Sequence, residues 1–199
     1  MKSVRPGYLR EHGQSLLELV IVMTVLITLT MIALPQLRGS RNAVRWSGLQ
    51  RELVTELRNT RQLAMSQRVP LTARFDNTTK RLLVYGGTFG AAGAAQNRSV
   101  RLARGSLLEP EVVYGRAPAA PTVPLADATN LTPLTANQVE ITFQPDGSVL
   151  DAGDNPVATG LFFYHAQNPN ETAFAVTVLG FGGRVKLWRF NQGSNSYAE

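Results

Sequence analysis

Residues 13–35 read GQSLLELVIVMTVLITLTMIALP. From Gln14 to Leu34 the run holds one charge, Glu18, and the rest is Leu, Ile, Val, Met and Ala with a few hydroxyl residues. At ~1.5 Å rise per residue, about 20 apolar residues match the ~30 Å hydrocarbon core of a bilayer. The stretch therefore predicts a membrane-spanning helix. A carboxylate in such a segment costs roughly 2.5–3.5 kcal/mol at the centre and less near the edge, so a charge kept there calls for a partner.

Outward from this run, residues 1–13 form a short polar leader with Lys2, Arg5 and Arg10 against Glu11. A secretory signal peptide would share this basic start. Its apolar part is usually ~7–15 residues and is followed by an A-x-A site, and neither holds here. A plain anchor with Glu18 at the interface stays open on the residues alone. On the other side, Pro35 lacks an N–H and crowds the preceding turn, and Gly39 follows, so a kink or local melting is expected there. From Ser40 to about Arg68 the apolar period is helical again. Trp46, Leu49, Leu53, Leu57 and Ala64 form one stripe, and Arg51, Glu52, Glu56, Arg58, Arg61, Gln62 and Arg68 take the other faces.

After Pro70 the period switches to two. Strands are expected at about 70–76, 81–85, 99–103, 107–114, 138–144, 159–165, 172–179 and 183–190; VEITF and FAVTV alternate and favour strand. FDNTTKR and QPDGS read as turns. The Gly/Ala-rich stretch 86–97 reads as loop. Its glycines Gly87, Gly90 and Gly93 do not make a phosphate-binding fingerprint. RAPAAPTVPLADATNLTP (116–133) reads as stiff, extended and exposed, and GSNSYAE as a frayed tail. A long helix followed by many strands buries the stripe on 46–64 only by laying it on a sheet, which gives an α+β fold.

Composition narrows the chemistry. The 199 residues are 44% hydrophobic, enough for an anchor and one globular domain, and the absence of cysteine excludes disulfides and thiol catalysis. The formal charge is +6, of which the leader carries +2. His12 lies in the leader, His165 stands alone, and no nucleophile triad or HExxH pattern occurs, so an enzyme is not expected. No cofactor is implied.

The amino-terminal segment resembles the class III signal of type IV pilins and type II secretion pseudopilins. There a basic leader ends in Gly, the fifth residue after the cut is Glu, and a Pro often closes the apolar run. Gly13, Glu18 and Pro35 match, while Gln14 stands where those families most often have Phe or Met. The run LVTELRNTRQLAMSQRVPLTARF (53–75), the FQPDGS of 143–148 and the GRVK of 183–186 resemble the GspH/FimT group of minor pseudopilins and minor pilins. The resemblance implies a pilin-like α+β fold with three parts: a leader over 1–13, a filament-core helix over 14–35 and a periplasmic domain over 36–199. It also implies cutting between Gly13 and Gln14 by a prepilin peptidase that N-methylates the new terminus, location in a bacterial inner membrane, and assembly with other pilin-like subunits. Glu18 would then face the amine of a neighbouring Gln14. Some FimT-like minor pilins are thought to bind DNA through a basic motif near the C-terminus, and Arg184, Lys186 and Arg189 are the candidates here. In a strand, 184 and 186 share a face and 189 does not; a charged edge strand that resists aggregation is the other reading of these cations. Asp146, Asp151 and Asp154 read as turn chemistry, with a calcium ion as the alternative.

Overall fold

The computed structural model describes residues 16–86, 96–102, 111–151 and 153–199, with side chains described outside 32–43, 96–98 and 101. The chain divides into two compact units, Met1–Arg41 and Asn42–Glu199. Helix α1 is assigned over Leu16–Gln67, and helical backbone continues through Pro35 and Gly39. The local melting expected there is absent: proline removes only its own N–H from the ladder, and the adjoining turns keep theirs.

In the second unit two antiparallel sheets face a common core. Strands β1 (Leu71–Asp76), β2 (Arg81–Gly86), β3 (Gln96–Arg101) and β5 (Gln138–Phe143) form one sheet in the order β3-β2-β1-β5. Strands β4 (Val112–Tyr114), β6 (Thr159–His165), β7 (Phe174–Val178), β8 (Val185–Asn191) and β9 (Ser196–Ala198) form the other, in the order β4-β6-β7-β8-β9. The strand expected at 99–103 starts and ends earlier. Of that expected at 107–114, only Val112–Tyr114 is strand among the described residues. A four-residue helix α2, Pro169–Thr172, joins β6 to β7.

The period-2 pattern aims Leu71, Ala73 and Phe75 inward on β1, opposite Phe143, Ile141 and Val139 of β5. From the other sheet, Leu161, Phe163, Phe174, Val176 and Val178 meet the same cluster. The α1 stripe closes it: Trp46, Leu49, Leu53, Leu57 and Ala64 are all buried, as their spacing predicts. Trp46 Nε1 also donates to Thr172 O at 2.6 Å, and its ring meets Phe174 edge-on. The stripe is wider than predicted, because Gln50, Glu56 and Thr60 are buried too. Glu56 adjoins Leu57, and the buried face of the helix extends over it as well.

Two other expectations give way. Segment 116–133 is not an exposed spacer. Strands β6 and β7 present apolar groups on both faces, and on the face away from α1 this segment covers them. Leu125 packs on Phe162, Ala175 and Trp188, while Ala117 and Ala120 pack against Ala173 and Phe190. Arg116 sits over the Phe162 ring at 4.4 Å and donates to Pro121 O and Asn130 Oδ1. Asp127 accepts from Thr177 Oγ1 at 2.6 Å, and that hydroxyl in turn accepts from Trp188 Nε1. Tyr114 OH donates to Thr132 O at 2.6 Å. The carboxy-terminal stretch is likewise not frayed. Strand β9 pairs with β8, placing Tyr197 opposite Phe190 and beside Phe162.

The covering segment touches the sheet so closely at Gly160 that a Cβ there would lie 2.2 Å from Asn130 O, whereas one at Gly182 would meet nothing within 4 Å. Gly160→Ala should therefore cost about 1–3 kcal/mol in a thermal or urea melt and Gly182→Ala much less; equal effects would mean the segment yields freely. Burial raises the Tyr114 hydroxyl well above its ordinary range. A raised folded value means its contribution is complete below the unfolded ~10 and is lost as pH climbs past it. Melts taken from pH 9 upward should fall more steeply for the parent than for Tyr114→Phe.

Candidate functional site

Gly13 and Gln14 lie outside the described residues. Glu18 stands in the first turn of α1, where the helix dipole favours a carboxylate. It is exposed, and so are its neighbours: the large apolar side chains from Leu16 to Met31 are 50–81% exposed, on every side of the helix. The hydroxyls in this stretch turn back on the helix. Thr24, Thr28 and Thr30 donate to the carbonyls of Val20, Thr24 and Leu26 at 2.6–2.8 Å, which frees them from needing water. Among the described residues, no helix is long and apolar enough to cross a membrane; the run expected to do so, 14–34, extends past the side chains described.

The three carboxy-terminal cations do not gather at one point: Lys186 and Arg189 line one depression, while Arg184 lines another hollow. Register pairs Arg189 with Phe174 and Lys186 with Thr177, so they leave opposite faces of β8. Arg189 Nε donates to Gln50 Oε1 of α1 at 3.2 Å. Lys186, on the other face, lies 5.0 Å from the Trp188 ring centroid and 2.8 Å from Glu199 Oε2. Arg184 Nη2 lies 3.8 Å from Glu199 Oε1. A hydrogen bond from Lys186, with the charges of Lys186 and Arg184, holds the Glu199 carboxyl below its usual range. Period-2 spacing foresaw the split between 184/186 and 189. Glu199 escaped notice because it lies in the stretch read as a frayed tail.

The acidic loop is organised by its own backbone. Asp146 Oδ1 accepts from Ser148 N and Oγ, and Asp151 Oδ1 accepts from Gly153 N and Asn155 N. These bonds hold both carboxyls low. Asp154 takes a positive φ of 58° in the turn. Among the described residues, no group of three or more His, Asp and Glu side chains is placed to hold a metal. His165 is buried against Trp46, its Nδ1 accepting from Gln167 N at 3.2 Å and its Nε2 lying 3.9 Å from Glu111.

Sequence reasoning missed one gathering of charge. Arg58 and Arg61, assigned from sequence to the free faces of α1, stand one turn apart and reach the start of β8 and the β5–β6 turn. Arg58 Nη2 donates to Val185 O at 3.1 Å, and Arg61 Nε donates to Gly147 O at 3.3 Å. With Arg184, Gly182 and Gly183 they wall a hollow of about 420 Å³. The only advance signal was the i, i+3 spacing of the two arginines.

No protein-family model matches this sequence, and no curated protein matches it. Three solved chains are similar in structure. The type IV minor pilin FimU of Pseudomonas aeruginosa strain PAO1 superposes with a TM-score of 0.48 at 17% identity, over 80% of this chain and 96% of that one. A second crystal form of FimU gives 0.42 at 17%, over 77% and 97%. The minor pseudopilin EpsH from the Type 2 Secretion System of Vibrio cholerae gives 0.44 at 14%, over 69% of this chain and 91% of that one.

Proposed function

We propose that this chain is the precursor of a pilin-like subunit, a minor pilin or minor pseudopilin, that enters or primes a type IV pilus or a type II secretion pseudopilus. One observation carries the reading. In an otherwise apolar, outward-facing helix segment the sole charge, Glu18, stands five residues after Gly13. A prepilin peptidase cuts after Gly13, removes residues 1–13 and N-methylates Gln14. The apolar part of α1 rests in the inner membrane with the β-rich domain on the periplasmic side, and later enters the filament core.

In the assembled filament the Gln14 amine of one subunit meets Glu18 of the next. Opposite charges ~4 Å apart attract by roughly 4 kcal/mol at an effective dielectric of ~20, before the cost of desolvating them. Much of that attraction is cancelled by desolvation, whereas a mismatched register leaves a lone charge among apolar side chains. The pair therefore sets register more than it adds stability. The subunit role is non-catalytic. Contact with DNA through Arg184, Lys186 and Arg189 would require Arg184 and Lys186 to release Glu199 and Arg189 to release Gln50.

Co-expression with a prepilin peptidase should shorten the chain by its leader, and replacing Gly13 with a bulky residue should prevent it. A mature protein in native membranes that still begins at Met1 argues against the whole reading. Glu18→Ala should insert at least as well as the parent, since it loses a charge. It should be under-represented in sheared filaments, by about tenfold or more, for want of a partner to the neighbouring amine; parental incorporation would remove the registry role.

A further inference from the structure

The hollow between α1 and the β7–β8 loop is a built feature. Arg61 is wedged against two glycine turns: a Cβ on Gly147 would lie 3.1 Å from its Nε, and one on Gly183 would lie 3.0 Å from its Cδ. Both glycines have positive φ, 84° and 54°, and a Cβ on Gly183 would also lie 2.1 Å from Gly147 O. Gly180 is pressed against the backbone of Pro156 and Val157, and Leu179 N donates to Arg184 O across the loop. The loop is thus fixed at both ends, while Gly182 between them meets open space.

Three guanidinium groups line this hollow, and among the described residues no carboxylate does. Each guanidinium has five N–H donors. Arg58 and Arg61 each give one to a backbone carbonyl, and Arg184 is 68% exposed at its side chain. Such an arrangement suits an oxyanion held by several forked donors at once. The neighbouring depression of about 710 Å³ is different: Arg58, Lys186 and Arg189 are balanced there by Glu171 and Glu199. Immediately before Gly182 stands Phe181, 89% exposed, the most exposed large apolar side chain described. An aromatic at the lip of an arginine-lined hollow has the composition of an interface hot spot.

We propose that this hollow binds carboxylates of an acidic segment on a neighbouring subunit, with Phe181 as the apolar anchor beside it. The identity of the partner rests on the filament reading above; the site does not. Two observations favour a peptide carboxylate over a nucleic-acid backbone. The cations converge on one small concavity, whereas a phosphodiester chain is tracked by a groove or row of them. Arg184 also already has a carboxylate beside it within this chain, Glu199. That contact makes Glu199 an internal competitor for the same guanidinium.

The test uses the full chain in detergent at low ionic strength and a short capped peptide of glutamates interrupted by one leucine. Binding is read by calorimetry and by the arginine Nε–H resonances. The peptide should bind and its glutamine counterpart should not. Arg184→Gln, at an exposed site where the melt should stay unchanged, should weaken binding about tenfold, the worth of one charge-assisted bond. Phe181→Ser should weaken it several-fold, and Glu199→Gln should strengthen it. Absence of peptide binding, or binding indifferent to Arg184→Gln and Phe181→Ser, overturns the proposal. So does tight binding of oligo(dT) or inorganic phosphate in place of the peptide, which would assign the hollow to phosphate. Because the peptide is read on single subunits, the two readings fail separately. A chain that binds it yet never enters filaments keeps the site and loses the filament role. A chain that assembles but ignores the peptide does the reverse.

Discussion

The central strands β6 and β7 of the sheet formed by β4 and β6–β9 are apolar on both faces, and the domain is arranged to satisfy that constraint. β7 has no exposed position, and β6 has only Tyr164 partly open. A sheet of this kind needs two covers. On one side lie α1 and the second sheet, sharing the cluster around Phe75, Phe163 and Phe174. On the other lies segment 116–133, which has no regular structure yet carries Ala117, Ala120 and Leu125 into contact. Ordering a segment costs on the order of 1–2 kcal/mol per residue in backbone entropy. Pro118, Pro121, Pro124 and Pro133 reduce that cost by limiting the unfolded chain beforehand. Hydrogen bonds from Arg116, Thr177 and Tyr114 fix where the segment lands.

Much of this architecture was legible in the sequence, because period is a direct image of burial. VEITF alternates, and Val139 and Ile141 are buried while Glu140 is exposed. The stripe from Trp46 to Ala64 is buried as its spacing requires. The covering segment was misread because its composition is that of a linker, and composition does not say whether a chain has something to lie on. The missing clue sat elsewhere, in LFFY and FAV, whose uninterrupted apolar runs leave no polar face for solvent. Strand β9 is too short for any period to show. In the candidate site, the divided faces of β8 were readable, but the glycine loop that completes the arginine hollow is far from α1 in sequence, so nothing local announced it.

The two halves of α1 solve opposite problems with one backbone. From Leu16 to Met31 the apolar side chains face outward on all sides, and the threonines satisfy their own hydroxyls. From Trp46 onward the helix is sided: one stripe is buried to 0–5% exposure, while Arg58 and Arg61 turn to the carbonyls of Val185 and Gly147. Glu18 is the sole charge described in the first half, and Glu56 is the buried charge of the second.

The chain has two tryptophans, and each lies under a different cover. Trp46 is on α1 itself, its indole N–H held by Thr172 O, with Phe174 and His165 at its faces. Trp188 lies beneath segment 116–133, its N–H passed through Thr177 to Asp127. Both are 4% exposed. The protein is thus fitted with two intrinsic fluorophores that register separate events. Emission from Trp46 follows the seating of the helix, and emission from Trp188 follows the lifting of the outer layer, so loosening of either face carries its own optical signature.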